Sequence, residues 1–90
     1  HKGTIENAYT ISNGEYEVIE AEIIETSELI NKEIKNSNLP EELRIGAVLR
    51  DQKIVIPRSN FIFKKDDRVV FIVKKDSISF VENIFRLSSV

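Results

Sequence analysis

From Tyr16 to Ile24 the chain reads YEVIEAEII, placing Ile19, Ala21 and Ile23 on one side and Tyr16, Val18, Glu20 and Glu22 on the other. A period of two is that of a strand, and the carboxylates mark its wetter face. The period then lengthens. In TSELINKEIKNSNLP (26–40), Leu29, Ile30 and Ile34 make a narrow apolar stripe, Thr26 or Ser27 can cap its start, and Glu28 and Lys32 form a favourable i,i+4 pair. This predicts a short helix that Asn36 to Asn38 and Pro40 bring to an end.

Alternation returns in IGAVLRDQKIVIPR (45–58), interrupted at Asp51-Gln52. A two-residue turn there sets Arg50 opposite Lys53, Leu49 opposite Ile54, Val48 opposite Val55, Ala47 opposite Ile56, Gly46 opposite Pro57 and Ile45 opposite Arg58. Cross-strand partners share a face, so Ile45, Ala47, Leu49, Ile54 and Ile56 are expected in the core. Gly46, Val48, Arg50, Lys53, Val55 and Pro57 are then expected to form a shallow apolar platform with basic ends, a surface that calls for a partner.

FIFKKDDRVVFIVKK (61–75) supplies a turn at Lys65 to Asp67 and a strand, Arg68 to Val73, apolar on both faces and therefore central. Asp76 or Ser77 caps a last helix in which Ile78, Val81, Ile84 and Phe85 recur at helical spacing. Residues 1–15 are polar and contain the turn signal Asn13-Gly14, so they read as a linker or arm with one short element around Ala8 to Ile11, and 16–90 as the domain. The predicted fold is a small α+β domain in the order β-α-β-β-β-α, a mainly antiparallel sheet with two helices.

Composition supports sheet over bundle: Ile and Val number 22 against 5 Leu, and β-branched side chains suit a pleated surface. A domain of 90 residues buries only about 60 to 65% of its unfolded surface, which makes help from a partner chain plausible. The absence of Cys excludes disulfides and thiolate chemistry and fits a reducing compartment. The longest apolar runs, VVFIV and IVIP, are far shorter than the ~20 residues of a membrane helix, so direct membrane insertion is not expected. The opening His1-Lys2-Gly3 reads as the start of an excised piece of a longer protein.

The net charge of -2 hides an asymmetry, since residues 1–45 carry 10 Glu against 4 Lys and Arg, and residues 46–90 carry 9 Lys and Arg against 5 acids. One reading is mutual neutralisation of outer faces, and the other a landing site for a small anion. An acidic total without a basic stripe argues against nucleic acid as a partner.

His1 is the only histidine, the 3 glycines are scattered, and Glu20, Glu22 and Glu25 read as the wet face of a strand, so no catalytic or metal-binding apparatus is expected. The candidate contacts are the cations Arg50, Lys53, Arg58, Lys64, Lys65 and Arg68, arginine being well suited to phosphate. Arg50 and Arg58 stand at opposite ends of the hairpin, roughly 17 Å apart at about 3.4 Å per residue. They reach one ligand together only if a two-fold dimer brings two hairpins around one axis, an arrangement suited to a ligand with two phosphates.

LPEELRIGAVLRDQKIVIPRSNFIFKKDDRVVFIV resembles the TrkA C-terminal domain, also called the RCK C-terminal domain, whose typical run is a proline-led loop, IGAIVRDG, a strand, IPRGDT and GDRVIVF. SELINKEIKNSNLP matches the helix preceding that run in the family, and KKDSISFVENIF is similar to a terminal amphipathic helix, so the resemblance covers about residues 16–87. It implies a cytosolic regulatory module of potassium uptake systems, peripheral to the inner membrane through a channel subunit, assembling as a homodimer behind a nucleotide-binding Rossmann domain. NAD/NADH or ATP/ADP would bind in that missing Rossmann domain, with no cofactor in this segment. The same module also occurs on other exchangers and anion permeases, and some members bind cyclic di-AMP at the dimer interface. Gln52 and Asp66 stand where the family has glycine, and the His-Asn pair that some ligand-binding members carry near the hairpin is absent.

Two functions follow as expectations. In one, Gly46, Val48, Arg50, Val55, Pro57 and Arg58 line a shared cleft for a phosphate-bearing effector such as a cyclic dinucleotide. In the other, the domain dimerises without binding anything.

Overall fold

The computed structural model describes residues 5–85, with side chains from residue 13 on. Five strands, β1 (Ile5–Ile11), β2 (Tyr16–Glu22), β3 (Leu43–Arg50), β4 (Lys53–Val55) and β5 (Arg68–Lys74), form one sheet in the order β1-β2-β5-β3-β4, every neighbouring pair antiparallel. A 3-10 turn at Lys75–Ser77 leads into helix α1 (Ile78–Phe85). The α+β class read from the sequence is correct, and β5 occupies the central position its two apolar faces require. The short element expected around Ala8 to Ile11 is strand β1, hydrogen-bonded along β2; residues 1–4 of the expected arm and 86–90 lie outside the described residues.

One face of the sheet carries the core. Ile19, Ala21, Leu43, Val48, Val69, Phe71 and Val73 are buried against Leu29, Phe63, Val81, Ile84 and Phe85, and the Phe71 and Phe85 rings stack at 5.0 Å. On the opposite face Val18, Ala47, Leu49 and Val70 are only half-buried and Ile72 is exposed. The one helix among the described residues packs on the first face.

The helix expected over 26–40 is not there. The stretch runs through tight turns and one 3-10 turn, Ile34–Asn36, with Asn31 in the left-handed region (φ 64°) and Glu33 extended (φ -72°, ψ 150°). Its backbone pairs across the fold instead of with itself: Asn31 N donates to Phe63 O (2.8 Å), Ile34 N to Phe61 O (2.9 Å), Lys35 N to Ser59 O (2.9 Å), and Phe63 N to Lys32 O (3.1 Å). Three Asn and two Ser give such a segment little helical preference, so long-range hydrogen bonds decide its path. The apolar stripe was nevertheless a burial signal, since Leu29 is buried and Ile30 and Ile34 pack on the core. Ser27, expected to cap this helix, instead clasps α1: its Oγ donates to Ile84 O (3.0 Å) and accepts from Leu29 N (3.1 Å).

Both turns in which the resemblance leads one to expect glycine place non-glycine residues in the left-handed region. Asp51 (φ 51°) and Gln52 (φ 65°) form the two-residue hairpin turn, and Asp66 sits at φ 73°. A positive φ strains a residue with a Cβ, and Asp-Gly is a favoured pair in a turn with both central residues left-handed. Gln52→Gly is therefore expected to raise stability by about 0.5 to 1 kcal/mol, read as a higher denaturant midpoint at unchanged slope.

Candidate functional site

The hairpin turn and its first three pairs, Arg50–Lys53, Leu49–Ile54 and Val48–Val55, form as the sequence predicts. Its faces do not. Pairing with β5 runs Ile45 to Phe71 and then Ala47 to Val70, so Gly46 is an extra residue, a β-bulge that reverses inward and outward from that point on. Leu43 and Ile45 face the core before the bulge, and Val48 faces it afterwards, fully buried. Ile54 and Ile56, expected in the core, are both 73% exposed. Val48 is thus a core residue rather than part of an open platform, and half-buried Val55 shares its face. Gly46 itself is exposed, and a Cβ there would meet only Val70 O at 3.6 Å, an ordinary contact.

The expected pairs of Ala47, Gly46 and Ile45 with Ile56, Pro57 and Arg58 are not made, because β4 stops at Val55. Pro57 has no N–H to give a ladder, and the chain beyond it is drawn to the 32–35 segment through Ser59 and Phe61. That detour carries Arg58 away from the hairpin and into a cleft.

The cleft holds about 500 Å³ between Ile34–Lys35, the loop from Asn38 to Glu41 with the first residues of β3, Leu43 to Ile45, and Pro57–Ser59. Three exposed cations, Lys35, Arg44 and Arg58, border it against one carboxylate, Glu41. Arg44 Nη1 donates to Glu41 O (2.6 Å) and Leu43 O (3.0 Å), fastening the Pro40-led loop that makes one wall. Lys35 and Arg58 belong to neighbouring segments joined by the Lys35 N to Ser59 O bond. Of the six residues expected to bind ligand, Pro57 and Arg58 line this cleft, while Gly46, Val48, Arg50 and Val55 do not. Lys35 and Arg44 were missed because the sequence gives no sign that the Pro40 loop folds beside Pro57.

Arg50 has other work. Its guanidinium holds the buried carboxylate of Asp67 at both oxygens, Nε to Oδ1 at 2.7 Å and Nη2 to Oδ2 at 2.6 Å, donates to Ile62 O (2.8 Å), and lies 4.6 Å from the Phe61 ring centre. Lys64 N completes the set by donating to Asp67 Oδ2 (2.8 Å). The hydrogen bonds Arg50 donates to Asp67, outweighing the opposing effect of burial, raise its pKa above the ordinary value. Arg50 thus ties β3 to the 61–67 loop and is neither free surface charge nor a residue of the cleft.

A bulged antiparallel sheet covered on one face, with a cationic cleft at the edge of its cover, defines a small α+β domain with one concave, positively charged surface. The profile of the TrkA-C domain matches residues 18–86, and the chain belongs to that family. It is 36% identical over 87 residues to the Trk system potassium uptake protein TrkA of Azorhizobium caulinodans, an alignment covering 97% of this chain and 19% of that protein. It likewise covers 20% of the Haemophilus influenzae protein of the same name, at 29% identity, so the chain spans about a fifth of the length of these relatives. The RCK_C domain dimer of S. agalactiae BusR in complex with c-di-AMP shares the fold at a TM-score of 0.67 and 22% identity, over 77% of this chain and 95% of that one. Among the described residues no helix is long and apolar enough to cross a membrane.

Proposed function

We propose that this chain is the regulatory domain of a Trk-type potassium uptake system, working as a homodimer on the cytoplasmic side of the membrane against a channel subunit, and responding through its cleft to a small phosphate-bearing effector. The cleft carries the reading: Lys35, Arg44 and Arg58 concentrate positive charge around a concave space of about 500 Å³ in a chain of net charge -2. Guanidinium groups suit phosphate oxygens, and two copies of one cleft suit a ligand with two phosphates. The dimeric relative bound to c-di-AMP makes a cyclic dinucleotide the first ligand to try. The link to potassium rests on relatives about five times as long, and a nucleotide cofactor such as NAD(H) or ATP/ADP would belong to the parts of such a protein outside this chain.

Thermal melts with cyclic di-AMP, cyclic di-GMP, ATP, ADP, NAD and NADH test the proposal. A ligand binding only the folded state at 100 times its dissociation constant adds about 2.7 kcal/mol, a shift of roughly 10 to 20 °C in a domain this small. The expected result is such a shift with one nucleotide and its loss in Arg58→Ala, a replacement at an exposed position. No shift with any of the six would leave a dimerisation module without an effector.

A further inference from the structure

Arg50 sits behind the cleft rather than in it, and its place follows from the bulge. Beyond Gly46 the inward positions of β3 are Val48 and, two residues on, Arg50, so the guanidinium points to the covered side of the sheet, where Asp67 and residues 58–63 lie. There it commits three of its five N–H groups, one to each oxygen of Asp67 and one to Ile62 O. The peptide it grips is the far end of a tight turn. Phe61 N donates to Arg58 O (3.0 Å), so Arg58 opens that turn, and Phe61, its ring centre 4.6 Å from the guanidinium, closes it. Two further bonds fasten the turn to the neighbouring segment, Ile34 N to Phe61 O (2.9 Å) and Lys35 N to Ser59 O (2.9 Å). Both cations of this wall, Lys35 and Arg58, are therefore carried by backbone that Arg50 holds against β3. Arg44, on the opposite wall, is set separately by its bonds to Glu41 O and Leu43 O.

We infer that Arg50 is a positioning residue of the cleft: through Ile62 O and the Phe61 ring it fixes the 58–61 turn, and so holds Arg58 and Lys35 ready beside each other. The inference rests on the proposed effector site and names what prepares it. The physical reason is preorganisation. Lys35 and Arg58 are exposed, and a ligand that had to order such long side chains on a loose turn would lose affinity in doing so. Asp67 balances the Arg50 charge, so the contribution is geometric rather than a share of the positive field. Lysine keeps the charge but not the reach, since donors on one nitrogen do not span two carboxylate oxygens and a carbonyl.

Arg50→Lys in the 90-residue chain tests this, with Arg58→Ala beside it, by amide hydrogen exchange and by titration with cyclic di-AMP, cyclic di-GMP, ATP, ADP, NAD and NADH. Circular dichroism well below the melting temperature checks that both variants are folded. Without ligand, the amides of Ile34 and Lys35 in Arg50→Lys should exchange at least about tenfold faster, while those of Phe71 and Val73 in the central strand change less. The nucleotide that binds the wild type should bind this variant roughly tenfold more weakly. Phe61→Leu, which keeps an apolar side chain and removes the ring beside the guanidinium, should move both readouts the same way, and it carries the test if the lysine variant does not fold. A purely structural role would speed exchange evenly across the sheet. That result, or an unchanged affinity where Arg58→Ala loses binding, overturns the positioning role alone. A wild type that binds none of the six nucleotides overturns the effector site and this inference with it.

Discussion

Val48→Asp removes more than about 4 kcal/mol of stability and abolishes a cooperative melt at ordinary temperature, while Ile56→Asp leaves the melting temperature within about 2 to 4 °C of the parent. The contrast follows from the bulge at Gly46. Val48 is completely enclosed between β5 and the covering layer, so a carboxylate there is a buried charge without a partner, costing several kcal/mol on top of the lost apolar burial. A domain of this length holds only about 5 to 13 kcal/mol in total. Ile56 is 73% exposed and outside the ladder, so its replacement gives up little contact. Plain alternation puts these two residues on the opposite sides, so the ranking of the two melts decides between a bulged and an unbulged β3. Loss of folding in Ile56→Asp would refute the bulged assignment.

The Arg50–Asp67 pair yields the second large effect, and an unequal one. Arg50→Ala strands a carboxylate that is 1% exposed, with Lys64 N as its remaining donor, and is expected to cost about 3 to 5 kcal/mol. Asp67→Ala leaves a guanidinium whose side chain is 30% exposed and free to swing to water, so it should cost less, although it also deprives Lys64 N of its acceptor. At roughly 4 to 8 °C per kcal/mol, Arg50→Ala lowers the melting temperature by at least about 12 °C. An Arg50→Ala domain that melts like the parent would mean that the pair contributes nothing. Because this loss occurs without any ligand, Arg58→Ala rather than Arg50→Ala is the variant that reports on effector binding.

Local patterns were legible in the sequence and long-range ones were not. The Asp51-Gln52 turn, the central β5 and the α1 stripe each follow from a few adjacent residues, and the structure has all three. The bulge depends on how Ile45 and Ala47 meet Phe71 and Val70, which no periodicity within β3 reveals. Residues 26–40 have a helical stripe because Leu29, Ile30 and Ile34 are needed by the core, but their backbone partners are 59 to 63, nearly thirty residues on. For the same reason Arg50 read as a phosphate contact: its acceptor, Asp67, is recognisable only once the loop folds back. The cleft combines Lys35, Arg44 and Arg58 from three separated segments, of which only Arg58 stands in a motif that attracts notice.

The strand order β1-β2-β5-β3-β4 bears on how the domain is made. Until β5 has emerged from the ribosome, the nascent chain holds two hairpins with no strand between them to make one sheet, each too small to persist alone in water. The lock between the halves comes later still, when α1 supplies Phe85 to stack on Phe71 and the Ile84 carbonyl to receive Ser27. Folding is therefore a late, nearly all-at-once event, dominated by contacts distant in sequence and completed by the last dozen or so described residues.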